Sequence, residues 1–188
     1  MATIEDKIGY NFKNKAYLME ALTHSSFANE RHNKIKCNER MEFLGDAVLS
    51  IISANYLFHR FPDMPEGDLS KLRSSLVCTQ SLSDFARQIS LGNFLFLGKG
   101  ESNTGGADRP SILENAFEAL IAAIYLDGGI EAARKHILGQ LTDTVNRIRE
   151  TLNIIDCKTR LQEEIQKVSK EPLHYEIINE EGPDHNKV

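Results

Sequence analysis

The chain has 188 residues, 41% of them hydrophobic and 26% charged. That is enough for one well-filled domain and a small appendage, and it excludes a disordered or fibrous chain. The net charge of −5 gives no basic surplus of the kind phosphate binders usually carry, although acids set aside for a metal would offset basic residues elsewhere.

The start, MATIEDKIGYNF, has neither a basic leader nor an apolar run, and no apolar stretch is long and uninterrupted enough to span a membrane. Cys37, Cys78 and Cys157 are few, scattered and without zinc spacing. The expectation is a cytoplasmic protein with reduced thiols and no membrane association.

The first predicted helix is Asn14 to Ala21, where Ala16, Leu18, Met19 and Ala21 sit. THSSFANERHNKIKCN follows and reads as polar and irregular. His24, Ser25 and Ser26 adjoin there, but no acid of triad type can be placed beside them, so His24 reads as a structural residue, ahead of an RNA-side contact.

A long helix is predicted over 39–60, with Asn38 as its N-cap. Met41, Phe43, Leu44, Ala47, Val48, Leu49, Ile51, Ile52, Tyr56, Leu57 and Phe58 make it apolar over most of its circumference, which predicts burial. Yet Glu39, Glu42 and Asp46 fall at i, i+3 and i+7 on one face, and Ser50 and Ser53 continue that stripe. The positive end of the helix dipole accounts for Glu39 and tolerably for Glu42. It does not account for Asp46, two turns in. Buried carboxylates are costly unless paired, hydrogen-bonded or bound to metal.

Pro62 ends that helix, and Pro65 suits the first turn of the next, EGDLSKLRSSLV, with Glu66 and Asp68 beside it. Thr79 or Ser81 caps a further helix through Ile89. Residues 98–110, GKGESNTGGADRP, read as a mobile surface connector; the GKS or GKT ending of a phosphate loop is missing.

In SILENAFEALIAAIYLDGG, Ser111 and Glu114 match a capping box, so Glu114 is assigned to capping. Asn115 and Glu118 share a face. Beyond them the helix is apolar, and Ala119, Ala122 and Ala123 admit a closely packed neighbour. Gly128-Gly129 ends it. Ile130 to Arg149 forms an amphipathic, exposed helix.

Strand signals are nearly absent before residue 170. The tail holds a helix, Lys158 to Val168, and a strand-like run, Leu173 to Ile178. One helix and one strand cannot bury a core alone.

If the two apolar helices pack side by side, Glu42, Asp46, Asn115 and Glu118 converge. They then form either hydrogen-bonded core pairs or a metal site. Four oxygen donors in one cleft favour Mg²⁺ or Mn²⁺. Such a site could activate a water and stabilise a leaving oxygen on phosphorus.

NERMEFLGDAV, residues 38–48, resembles the signature of ribonuclease III, the double-stranded-RNA endonuclease. ALTHSSFANE before it, FPDMPEGDLSKLRSSLV after it, the glycine-rich loop and FEALIAAIYLDGG follow the family pattern in order. KTRLQEEIQ and EGPDHNK look like the opening of the family's double-stranded-RNA-binding domain.

The resemblance implies an all-α endonuclease domain with the ribonuclease III-like helical fold over 1–150. An incomplete α+β double-stranded-RNA-binding domain follows over 151–188, without the two further strands and basic helix of the family. Glu42, Asp46 and Glu118 would be metal-binding acids, with Asp46 and Glu118 catalytic. Asn115 stands where the family commonly has Asp, and its carbonyl oxygen can still ligate a hard cation with less charge.

Glu39 and Glu66 match supporting acids. Phe43 matches an aromatic that inserts into a partner subunit, which implies a homodimer. Thr159, Gln162, Gln166 and His185 match RNA contacts that read A-form shape and 2′-hydroxyls. The implied activity is Mg²⁺-dependent hydrolysis of duplex RNA with no organic cofactor. It would leave 5′-phosphate and 3′-hydroxyl ends with short 3′ overhangs, in rRNA-precursor and mRNA processing.

One rival is the same fold gripping duplex RNA without cutting it, which Asn115 and the short tail favour and the acids oppose. A phosphohydrolase of small nucleotides is the other; no His-Asp metal pair or nucleotide loop supports it.

Overall fold

The computed structural model describes residues 3–32 and 34–168, with backbone alone given for residue 143 and for 147–168. Residues 1–146 form one compact unit and 147–188 another. Among the described residues the fold is helical, and its single β feature is an isolated parallel bridge between Thr23 and Phe96.

The elements are α1 (Ile4–Ile8), α2 (Lys15–Ala21), α3 (Ser25–Glu30), α4 (Glu39–Arg60), α5 (Glu66–Leu76), α6 (Thr79–Gln88) and α7 (Lys99–Asn103), followed by the helical stretch Pro110–Val168. That last stretch is broken at Gly129, where φ 78° and ψ −177° are not helical. We label its first part, 110–128, α8 and the part from 130 onward α9. The break is where the Gly128-Gly129 pair predicts it.

Two short helices were not legible in the hydrophobic pattern. In α1 a capping box does the work: the Thr3 hydroxyl accepts from the Asp6 amide at 3.2 Å, and the Asp6 carboxylate accepts from the Thr3 amide at 2.7 Å. In α3, inside the stretch read as irregular, the ring of His24 serves as cap, its Nδ1 accepting from the Ser26 amide at 3.2 Å. His24 is thus structural, as the sequence suggests.

Elsewhere the caps differ from expectation. Asn38 precedes α4 but is already in the right-handed helical region and makes no side-chain cap; it is buried, and its amide donates to the Thr23 carbonyl at 2.8 Å. Pro65 stands just before α5 rather than in its first turn. Cys78, not Thr79 or Ser81, precedes α6, and its thiol donates to the Ser75 carbonyl.

The core is centred on α8. Leu113, Ala116, Phe117, Ala119, Leu120, Ile121, Ala122, Ala123 and Ile124 have essentially no exposed surface. A helix apolar all round belongs inside. The expectation of burial round most of the circumference therefore holds for α8 and fails for α4. Met41, Val48, Leu49, Ile52 and Leu57 of α4 are buried, but Phe43, Ile51 and Phe58 are 81%, 61% and 66% exposed.

By length and hydropathy α4 could cross a membrane, contrary to the sequence reading. Its buried face instead packs within the helical unit. The first turns of α9 are amphipathic as expected, but one face is not exposed: Ala133, His136, Ile137, Leu141 and Val145 are buried.

The glycine-rich segment is a connector with structure of its own. It holds α7 and a short 3-10 turn, Gly106–Asp108. The Gly98 amide donates to the Ser26 hydroxyl at 2.9 Å, the Lys99 amide to the Glu30 carboxylate at 2.6 Å, and Arg109 pairs with Glu101. The predicted strand at 173–178 lies outside the described residues.

Candidate active site

Two helices carry the predicted acids. On α4, Glu42 and Asp46 are four residues apart and share a face; on α8, Glu114 and Glu118 do the same. The helices meet without intervening side chains at Gly45. A Cβ built there would lie 1.8 Å from the carbonyl oxygen of Glu118, a distance no real atom could occupy. Glycine is therefore what lets the α4 backbone rest on α8, and this contact sets Glu42 and Asp46 against Glu118.

The consequence is electrostatic. Burial and the charges of Asp46, Glu114 and Glu42 push the Glu118 carboxyl up to about 8. Burial, with the charges of Glu39 and Glu114, also holds Glu42 above the usual carboxylate range. Like charges in a partly desolvated cleft disfavour ionisation of each other. So the structure brings together Glu42, Asp46 and Glu118 as the sequence anticipates, with Glu39 beside Glu42.

One outcome departs from the sequence reading. Glu114 belongs to this cluster rather than to a capping box. Pro110 opens the helix and the extended Arg109 precedes it, so Ser111 lies one residue inside, past the capping position. Glu66 opens α5 and accepts a hydrogen bond from the Ser70 hydroxyl at 2.8 Å. Asn115 is half-buried on α8, and being neutral it adds no charge.

Gly45 is the functional residue that sequence reasoning missed. The signal was a lone glycine within an otherwise apolar helical run, which usually has a packing reason.

The donor set is all oxygen, carboxylate and amide, which suits a hard divalent cation. A positive charge is also what the crowded acids lack. Among the described residues no three His, Cys, Asp or Glu side chains already close on one point in cation-holding geometry. The acids act on one another through the field. Chemically the set fits.

A cleft of about 990 Å³, lined by Met19, Phe27, Arg31, Lys34 and Phe96 among others, contains none of these acids. The predicted RNA contacts Thr159, Gln162 and Gln166 lie on the helix ending at Val168, where backbone alone is described; His185 lies outside the described residues.

The Ribonuclease-III-like family model matches residues 14–145. Ribonuclease 3 of Caldanaerobacter subterraneus subsp. tengcongensis is 50% identical over 185 residues, spanning 98% of this chain and 81% of that protein. Ribonuclease 3 of Bdellovibrio bacteriovorus is 46% identical over 187 residues, spanning 98% and 80%. The nuclease domain of ribonuclease III from Campylobacter jejuni, solved in a study of flexibility in a region involved in dimer formation, superposes with a TM-score of 0.70 at 45% identity. That match covers 74% of this chain and 94% of that one.

Proposed function

The chain belongs to the ribonuclease III family and is an endoribonuclease, and from that premise we propose that it hydrolyses double-stranded RNA with Mg²⁺ held by Glu42, Asp46, Asn115 and Glu118. The observation that carries this is the meeting of α4 and α8 at Gly45, which sets acids from two helices around Glu118. Mn²⁺ has the same ligand preference and could substitute.

A cation held there would supply Lewis acidity, lowering the pKa of a water so that hydroxide could attack phosphorus near neutral pH and offsetting charge on the departing 3′ oxygen. The chain's own part is to bind and orient. Glu118, whose carboxyl burial and its fellow acids keep protonated near neutral pH, would release that proton to water on taking a cation. Asp46, which crowds it most, then shares the counter-charge. Glu39 holds the field negative at the mouth. No side-chain nucleophile is needed, and the ends left are 5′-phosphate and 3′-hydroxyl.

The apolar stripe on α4, led by the exposed Phe43, supports a homodimer in which two sites cut opposite strands. Changing Phe43→Ala is expected to weaken that dimer, moving the sedimentation coefficient toward the monomer at micromolar concentration. An unchanged coefficient would count against the stripe as the interface.

Residues 151–188 are proposed to open a double-stranded-RNA-binding domain, with Thr159, Gln162, Gln166 and His185 toward the RNA, and the setting is proposed to be cytoplasmic rRNA and mRNA processing. Asn115 favours a second reading, a binder that does not cut.

Incubating the chain with a long RNA duplex separates the two. Cutting that requires Mg²⁺, with 5′-phosphate and two-ended short 3′ overhangs, is the expected result. Binding of duplex without cleavage in Mg²⁺ or Mn²⁺ would favour the binder.

A further inference from the structure

We propose that in this chain Glu114 supplies the fourth carboxylate of the cation site, beside a neutral Asn115. This rests on the reading of Glu42, Asp46 and Glu118 as cation ligands.

The placement is geometric first. Glu114 stands one turn before Glu118 on the same face of α8, and Glu42 stands one turn before Asp46 on α4. The helices touch at Gly45 and Glu118 with only backbone between them. The two pairs of acids therefore lie on facing sides of one helix crossing. Glu114 is half-buried rather than solvated.

Glu114 has no other assignment, because Pro110 opens the helix and removes Ser111 from the capping position.

Asn115 can offer a carbonyl oxygen but no charge, and ligand charge is a main determinant of affinity for a hard divalent cation. With Glu114 the site holds four carboxylates, two from each helix. Without it the neutral residue at 115 would leave three.

The test is direct Mn²⁺ binding, read from the electron paramagnetic resonance signal of free Mn²⁺ titrated into the metal-stripped full chain. Glu114→Gln is expected to weaken binding by about tenfold or more. Adding Asn115→Asp to that variant is expected to restore affinity to within about threefold of the parent, because it returns the lost charge one residue away.

The metal-free Glu114→Gln protein should melt no lower than the parent, since a repelling charge is removed, so weaker binding is not unfolding. Loss of Mn²⁺ binding in Asp46→Asn and Glu118→Gln without loss in Glu114→Gln overturns the role of Glu114 alone. Unchanged binding in all three overturns the cation site as well.

Discussion

Replacing Glu118 with glutamine is expected to make the metal-free protein more stable at neutral pH while removing RNA cleavage. The two effects share one cause. Glu118, itself part-buried, sits among Asp46, Glu114 and Glu42, and its carboxyl is pushed up to about 8 from an ordinary 4.5.

The sign follows from linkage. A carboxyl whose folded value is raised favours the fold while it is protonated, below 4.5. That contribution is lost as pH climbs through the window from there to about 8, because the folded protein must give up a proton into a field that opposes it. Glutamine has no proton to lose.

The melting temperatures of parent and variant, measured with chelator present, should therefore be close at pH 5 and diverge by pH 8. After discounting for solvent screening of a cleft that is not closed, the gap corresponds to about 1–2 kcal/mol, or roughly 3–6 °C for a chain of this size.

Cleavage should fall by about a thousandfold, a loss typical of removing a charge that acts on the transition state. Duplex binding should hold within about threefold, since phosphate contacts by basic residues supply most of it. A variant that melts like the parent at pH 8, or that still turns over normally, would refute the placement of Glu118.

Gly45→Ala is the second large effect. Here nothing chemical is removed; one methyl group is added where the Glu118 carbonyl already sits. The clash is with backbone on a helix whose other faces are packed, so no side chain can swing aside. Helices must part or tilt, and overpacking of this kind costs about 3 kcal/mol. For this chain that is a fall of about 10 °C in melting temperature.

The same displacement moves Glu42 and Asp46 away from Glu118. Cleavage should then drop well beyond what the unfolded fraction explains when assayed at 25 °C, where most molecules remain folded. A Gly45→Ala protein with parental activity and a parental melting curve would mean that the two helices do not meet as described.

Much of the site was readable because its elements are long. The acids of α4 and α8 were visible as polar stripes on apolar helices, and both helix ranges follow from periodicity. What the pattern could not give was the crossing point. Gly45 looks like a helix weakness until the carbonyl lying over it is known, and only then does the register of Glu42 and Asp46 against Glu118 follow.

Glu114 was misassigned for a related reason. Ser-x-x-Glu is a sound local signature, but Pro110 starts the helix two residues earlier than that signature implies and turns the glutamate from a cap into a member of the cluster. The short α1 and α3 escaped because they depend on capping by Thr3 and His24 rather than on an apolar face. The exposed side of α4 was invisible too. Sequence marks a residue as apolar, but not whether its neighbour belongs to the same molecule.

On α4, the outward-pointing Phe43 directly follows Glu42, and Ala47 directly follows Asp46. A helix is stiff over such a span, so both sets of side chains ride one lever. A substitution on the greasy side is therefore expected to be felt in cleavage as well as in assembly, because the two faces share one backbone.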